Sequence, residues 1–374
     1  MPFYFLFFLF FLVSCGRQSR DSERSVSDKP DFAQSFRIEQ SENYKILKVF
    51  NPWQNAENIS ITYVLSDDPS LIPDSLKAFT FIRTPVKKVI ALSSTHIGFI
   101  SALGESPGIS GISGKEFISD PLVRKAIEEK KCFDVGYAPN LNYEMILSLK
   151  PDIVFLYGLD ASVQAISGRL AQTGIPSVVI SEYLENHPLG KAEWIKFFAS
   201  FYNKYDEAVS IFDTLKNRYI MMRDSVKLIN EKPGVLSGLP WKDTWFLPGG
   251  NSFAAKLIAD AGGHYLWSEN ESGEVIPMDL ESVFMRAVDA DIWINTGTAA
   301  SKADLSGRDR RFILIKAYKT GLLFNNDARA NTGGGNDYWE SGVIHPDIIL
   351  RDLIEIFHPG YLTKHDLFYY RKLE

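Results

Sequence analysis

The sequence predicts an α/β protein of two three-layer lobes bridged by one long rigid helix, with a small β extension before the first lobe. Three observations predict it. Short β-branched runs alternate with helical segments through short loops on both sides of the chain's middle, the pattern of parallel sheets covered on both faces. Between them, Lys204–Ile229 places apolar residues at Ala208, Ile211, Phe212, Leu215, Tyr219, Met222 and Val226. These steps of three and four, with no Gly or Pro inside, are helical. Finally, both halves contain one matching unit: an acidic residue opening a short helix, a turn, then a buried strand. It occurs as Glu144 to Val154 and again as Glu281 to Trp293. On spacing alone the long helix could equally lie on the surface of a single domain. The matching units on either side favour a strut between two lobes.

In chain order, residues 1–14 (MPFYFLFFLFFLVS) are almost wholly apolar. They are too short to span a bilayer, which takes about 20 residues, and read as a signal peptide. Residues 15–35 are polar and aperiodic, a flexible tether. Residues 36–85 form the extension and linker. FRIEQ, YKILKVF and ISITYVL are strands, and Asp67–Pro85, with three Pro, reads as linker. Lobe 1 occupies 86–188, with strands in KKVIAL, ISGIS, DIVFLY and IPSVVIS and helices in STHIGFISALG, DPLVRKAIEEKK, NYEMILSLK and ASVQAISGRLAQTG. A connector and the long helix fill 189–230, stopped by Asn230 and Pro233-Gly234. At ~1.5 Å per residue the helix would span roughly 39 Å. Lobe 2 occupies 231–344. GVLSGL, DIWINTG and GLLFNND are strands, DLESVFMRA and RFILIKAYKTG helices, and TWFLPGGNSFAAKLIADAGG a loop and helix. A Gly-rich loop, Asn331–Gly342, leads to a C-terminal helix from Pro346 to Phe357 and an aromatic tail within 345–374.

The composition, 45% hydrophobic and 23% charged, is that of a well-cored globular chain. A net charge of −6 argues against a nucleic-acid partner. Aromatics reach 13%, with seven Trp, which favours apolar or flat ligands. Cys132 is the sole Cys besides Cys15, which excludes an internal disulfide after processing, Cys-based zinc sites and Fe–S clusters.

Several motifs resemble one family. LVSC (Leu12–Cys15) resembles a bacterial lipobox, whose Cys is lipidated and becomes the new N-terminus; the preceding segment departs from that pattern in having no Lys or Arg. NYEMILSLKPDIV, FLPGGNSFAAKLIADAGG and DYWESGVIHPDIIL resemble the cobalamin- and ferric-siderophore-binding proteins that serve ABC importers. The resemblance runs from Lys87 to Phe357 and implies two Rossmann-like lobes on a semi-rigid backbone helix. Phe36–Ser66 lies outside the pattern. By this resemblance Glu144 and Glu281, one per lobe, would pair with arginines on a permease dimer that carries ATPase subunits. The plainer reading is an acidic residue favoured by a helix N-terminus.

Ligand sites in such folds lie at the C-terminal ends of strands. That rule nominates Ser94, Thr95, His96, Tyr137 and Tyr157 in lobe 1, and Trp241, Trp245, Arg329, Asn331, Tyr338 and Trp339 in lobe 2. Tyr137 and Trp339 match, within a residue, family positions that place an aromatic against the ligand. Each aromatic could instead be core. His96 could be an axial ligand or a capping residue, and Arg329 could face an anionic chelate or solvent. No resident cofactor is expected, because the ligand itself would carry iron or cobalt. The resemblance implies a monomer, lipid-anchored through Cys15 in the bacterial cell envelope, that catches a ferric siderophore or haem, with cobalamin as the alternative.

Other signals carry less. GISGISG lacks the dinucleotide spacing, PGGNS before a helix reads as a packing turn, and Walker A, G-x-S-x-G and H-E-x-x-H are missing. The rival from another class is a bilobal chelatase, which needs a His and a carboxylate facing each other in the cleft. A surface protein that holds a nutrient without a permease is a second rival.

Overall fold

The computed structural model describes Met1 and residues 26–374 apart from Pro139 and Lys364. The signal segment and Cys15 lie outside the described residues. The first sheet has the order β1 (Val26–Asp28), β2 (Phe36–Gln40), β3 (Lys45–Phe50), β4 (Ser60–Ser66) and β5 (Thr80–Arg83). Its first four strands are antiparallel neighbours and β5 adds on in parallel. Alternation fixes its buried face: Phe36 and Ile38 pair with Val49 and Leu47, and all four are buried. The segment read as linker therefore holds a strand. TFIR is too short and polar to stand out without its partner β4.

Lobe 1 runs β6 (Val89–Ala91), α1 (Ser94–Ala102), β7 (Ile109–Ile112), α2 (Pro121–Glu128), β8 (Phe133–Asp134), α3 (Tyr143–Leu149), β9 (Ile153–Tyr157), α4 (Val163–Gln172) and β10 (Ser177–Ile180). The sheet order is β10-β9-β6-β7-β8, all parallel. Successive residues of one strand feed different cores. Val89, Ala91, Ile153, Phe155, Val178 and Ile180 pack with α1 on one face. Ile90, Val154, Leu156 and Val179 pack with α3 and α4 on the other. This makes the three layers, and explains why these strands read as continuous apolar runs. Ser93, Asp120 and Asn142 cap α1, α2 and α3 by accepting backbone N–H groups of the first turn.

The connector α5 (Pro188–Ser200) is buried almost throughout, because the first sheet covers it on one side and both lobes on the others. The long helix α6 spans Tyr205–Val226, 22 residues, or about 33 Å at ~1.5 Å per residue. It buries Ala208, Phe212, Leu215, Tyr219 and Val226, while Ile211 and Met222 stay half-buried.

Lobe 2 comprises β11 (Gly234–Ser237), β12 (Thr244–Pro248), α7 (Phe253–Asp260), β13 (His264–Tyr265), β14 (Val275–Asp279), α8 (Leu280–Ala287), β15 (Ile292–Ile294), α9 (Lys302–Arg308), α10 (Lys316–Thr320), β16 (Phe324–Asn325), α11 (Asp337–Glu340), α12 (Pro346–Phe357) and β17 (Arg371–Lys372). A parallel sheet, β13-β11-β15, is its centre. TWFLP, read as loop, is strand β12 in an antiparallel pair with β14. RFILIKAYKTG, read as one helix, is a 3₁₀ turn followed by α10. Residues 337–344 do not stay with lobe 2: α11 and the turn after it pack against α1 of lobe 1.

Candidate functional site

The strand ends of both lobes face a cavity of about 580 Å³. Lobe 1 contributes Ser94, at the start of α1, and Phe117. Lobe 2 contributes Ser237 at the end of β11 and Gly238 after it, Phe246 and Pro248 from β12, and Ala254 from α7. Asn295, Gly297 and Asn326 follow β15 and β16, and Gly334, Gly335, Asn336 and Trp339 close the remaining side. Phe117, Phe246 and Trp339 are 42%, 49% and 52% exposed, high values for rings this large, and they share the cavity wall.

Hydrogen bonds fix the polar part of the wall. Asn295 Nδ2 donates to Ser237 Oγ at 3.3 Å, and Tyr370 Oη donates to Asn295 Oδ1 at 2.9 Å. Asn336 Nδ2 donates to the Asn326 carbonyl at 3.0 Å, and Asn336 Oδ1 accepts the Tyr338 N–H. Gly238 holds φ +87°, which opens the chain after β11 and presents its carbonyl to the Trp293 indole N–H at 2.8 Å. No lining side chain is charged and none is His, Cys, Met or Tyr. Among the described residues, no group of three or more His, Cys, Asp or Glu is placed to hold a metal ion. The wall can therefore offer aromatic faces, hydroxyls and carboxamides, and neither an imidazole, thiolate, thioether or phenolate ligand nor a full charge.

Of the residues nominated by sequence, Ser94 and Trp339 line this cavity. Thr95 turns away, its hydroxyl donating to Glu182 Oε1 at 2.5 Å; burial raises the Glu182 carboxyl's pKa. Asn331 supports the wall from outside it. Tyr137 stands beside Phe117 and donates to Glu116 Oε1 at 3.2 Å; burial and that carboxylate push its phenol to about 12. Tyr157 packs on Tyr183, ring centroids 4.8 Å apart, and burial pushes it to about 12 as well.

The remaining nominations are not brought to the cavity. His96 is fully buried between Phe155 and Phe198, and burial drives its pKa down to about 3. It is a core imidazole, because on α1 its face is the one that packs on the sheet. Trp245 is also fully buried, packed on Trp293 with the ring planes tilted by 37° and its indole N–H donating to the Ser237 carbonyl. Tyr338 lies under Trp339 against Tyr369 and Tyr370. Trp241 is exposed in a different crevice with Arg308 and Arg311. Arg329 pairs with Asp337 at 2.6 Å and lies over the Phe368 ring.

Glu144 and Glu281 are exposed in the first turns of α3 and α8, one per lobe. Glu281 already pairs with Arg311 Nη1 at 3.1 Å, but that arginine is held more closely by Asp309, at 2.6 Å.

Sequence reasoning missed Phe117, Phe246 and the Asn295, Asn326 and Asn336 carboxamides. The strand TWFLP carried a usable signal: Trp245 and Phe246 must point to opposite faces, so one of them is free of the core.

A sequence family described as "Periplasmic binding protein" matches residues 89–330. An uncharacterized lipoprotein of Methanocaldococcus jannaschii is 28% identical over 364 residues, covering 90% of this chain and 84% of that protein. Among solved structures, a possible iron-binding, periplasmic solute-binding protein of Staphylococcus epidermidis superposes with a TM-score of 0.58 at 18% identity. It covers 73% of this chain and 99% of its own. A periplasmic haem-binding protein of Pseudomonas aeruginosa gives 0.57 at 16% identity, covering 77% and 98%.

Proposed function

The chain belongs to the periplasmic binding protein family, the solute-binding components of ABC transporters, and from that premise we propose that it captures a metal chelate between its lobes and hands it to a permease. The observation that carries this reading is the cavity wall: three exposed aromatic rings and a set of neutral hydroxyls and carboxamides where the strand ends of both lobes meet. Aromatic faces give rigid contact area to a macrocycle or a folded chelate, and the carboxamides orient its polar periphery. The wall supplies neither an axial ligand nor a cation for carboxylates. It therefore suits a chelate that already completes its metal's donor set and carries little charge. Among iron complexes this favours a ferric siderophore of low charge over haem. Cobalamin, with its carboxamide rim, is the second reading that the same wall favours.

The test is a titration of the purified protein with cobalamin, haem and a panel of ferric siderophores, followed by tryptophan fluorescence. Trp339 is the expected reporter, so W339F should remove most of the quenching. A flat response to every compound would overturn the metal-chelate reading.

Delivery would use Glu144 and Glu281 as one acidic contact per lobe for the permease dimer, setting orientation and on-rate. The double variant E144A/E281A should abolish uptake while leaving the titration unchanged; normal uptake would end the docking assignment. Anchoring would use lipid on Cys15, and C15S should move the protein from the membrane fraction to the soluble one.

A further inference from the structure

Residues 331–340 cross from lobe 2 and grip residues 116–120 of lobe 1. The contacts come from both backbone and side chains. Gly333 and Gly335 lie so close to the carbonyls of Glu116 and Phe117 that a Cβ at either glycine would collide with them. Asn331 Nδ2 donates to the Ile118 carbonyl across the lobe boundary at 3.0 Å. Its Oδ1 accepts the N–H groups of Gly333 and Gly335 at 2.9 and 3.0 Å, folding the loop that makes the contact. Glu340, 2% exposed, accepts the Ser119 N–H at 2.8 Å and the Asp120 N–H at 2.5 Å. The Glu340 carbonyl in turn presses on Gly98 of α1, where no Cβ would fit.

Within these same two segments lie Phe117 and Trp339, two of the three rings on the cavity wall. Asn331 and Glu340 do not line that cavity; Glu340 faces a separate crevice of about 380 Å³. The gripping side chains, Asn331 and Glu340, thus bracket the cavity-facing ones, Asn336 and Trp339, along one strap.

We propose that residues 331–340 form a clasp between the lobes, in which Asn331 and Glu340 are positioning residues. They hold Phe117 against the cleft and so set ligand affinity without touching the ligand. The effect on affinity rests on the cleft being the ligand site; the clasp itself does not.

Hydrogen exchange on the full chain, read by mass spectrometry, separates the two. N331D keeps the acceptor for Gly333 and Gly335 but loses the donor to Ile118. E340Q keeps an acceptor for one N–H and points an amide at the other. Each variant should lower protection in residues 116–120 and 331–340 by roughly tenfold, the scale of one net hydrogen bond. Strands β9 and β15 should keep wild-type protection. Unchanged exchange in the strap, or a uniform loss across both lobes, would overturn the clasp.

In a second arm, tryptophan quenching is read with cobalamin, haemin and ferric desferrioxamine B. A probe that binds wild type should bind both variants roughly tenfold more weakly and should slow exchange at 116–120; equal affinity would overturn the positioning role. If wild type responds to no probe, the proposed ligand class fails, while the exchange result still decides the clasp.

Discussion

His96 shows how the site residues sort at the scale of one side chain. Both its ring nitrogens are buried and neither makes a hydrogen bond of good geometry; the Phe155 backbone is near enough to oppose the shift only weakly, and burial holds the ring neutral, with a pKa near 3. An unpartnered buried polar group costs about 1–3 kcal/mol. H96L should therefore be neutral or stabilising in thermal unfolding and should leave chelate titrations unaltered; a lost spectral shift with haem would restore it as an axial ligand. Glu340 is the opposite case, a buried carboxyl with good acceptor geometry that pays for its place in ionisation. Burial, chiefly, lifts its pKa to about 7. Asp120, Asp337, Arg329 and His345 line the same crevice, and α1 presents only Ser101 among its polar groups there. Because the folded-state pKa lies above the unfolded one, the stabilising contribution is fully present below about 4.5 and is lost as pH rises through about 7. The stability of wild type relative to E340Q should fall between pH 5 and 8, by up to roughly 3 kcal/mol at 1.36 kcal/mol per pKa unit. Calorimetry of both proteins across that range checks it, and a flat difference would refute the assignment. The alternation of Trp245 and Phe246 marks what sequence could reach at this scale. It says that one ring faces the core and one does not; which one depends on the β12–β14 pairing.

Among the elements, the N-terminal sheet is tied into the fold more tightly than its sequence suggests. Glu193 on α5, fully buried, accepts the N–H groups of Asp31, Phe32 and Ala33 and pairs with Lys196 at 2.8 Å. Glu185 accepts those of Gln34 and Ser35 and the Trp194 indole N–H. Phe36 packs on Trp194 and Phe197 of α5, and Tyr63 Oη accepts the Val179 N–H on edge strand β10. Removing one partner of a buried charged network costs about 3–5 kcal/mol. E193A should lower the free energy of urea unfolding by that much, and a loss of only a few tenths of a kcal/mol would show the sheet to be an independent appendage. The helices at 94–102, 205–226 and 346–357 were legible because their signals act within one segment: the Ser93 cap of the first, the apolar spacing of the second and Pro346 opening the third. TFIR and VIPMD were not, because their strand character comes from partners distant in sequence, and Pro277 disguises the second.

At the scale of the whole molecule, α6 is one of several links between the lobes. Its spacing and the paired Glu units made a strut legible in sequence, but the companion links were not. α5 lies along it, the 331–344 segment returns to lobe 1, and α12 packs on α6. One apolar core runs without a break from Val89 and Phe99 through Trp194 and Phe212 to Trp293 and Leu353. A hinge would have to open that core, and close-packed interiors resist continuous deformation. Closure on ligand should then be limited to side chains at the wall and to the clasp. Small-angle scattering of the protein, free and saturated with whichever chelate quenches Trp339, should give superimposable curves. The permease would consequently read the rim of a nearly rigid body, with Glu144 and Glu281 at a separation that ligand barely alters. A clear contraction on binding would sink this picture, since it would require the lobes to slide at the α5–α6 contact.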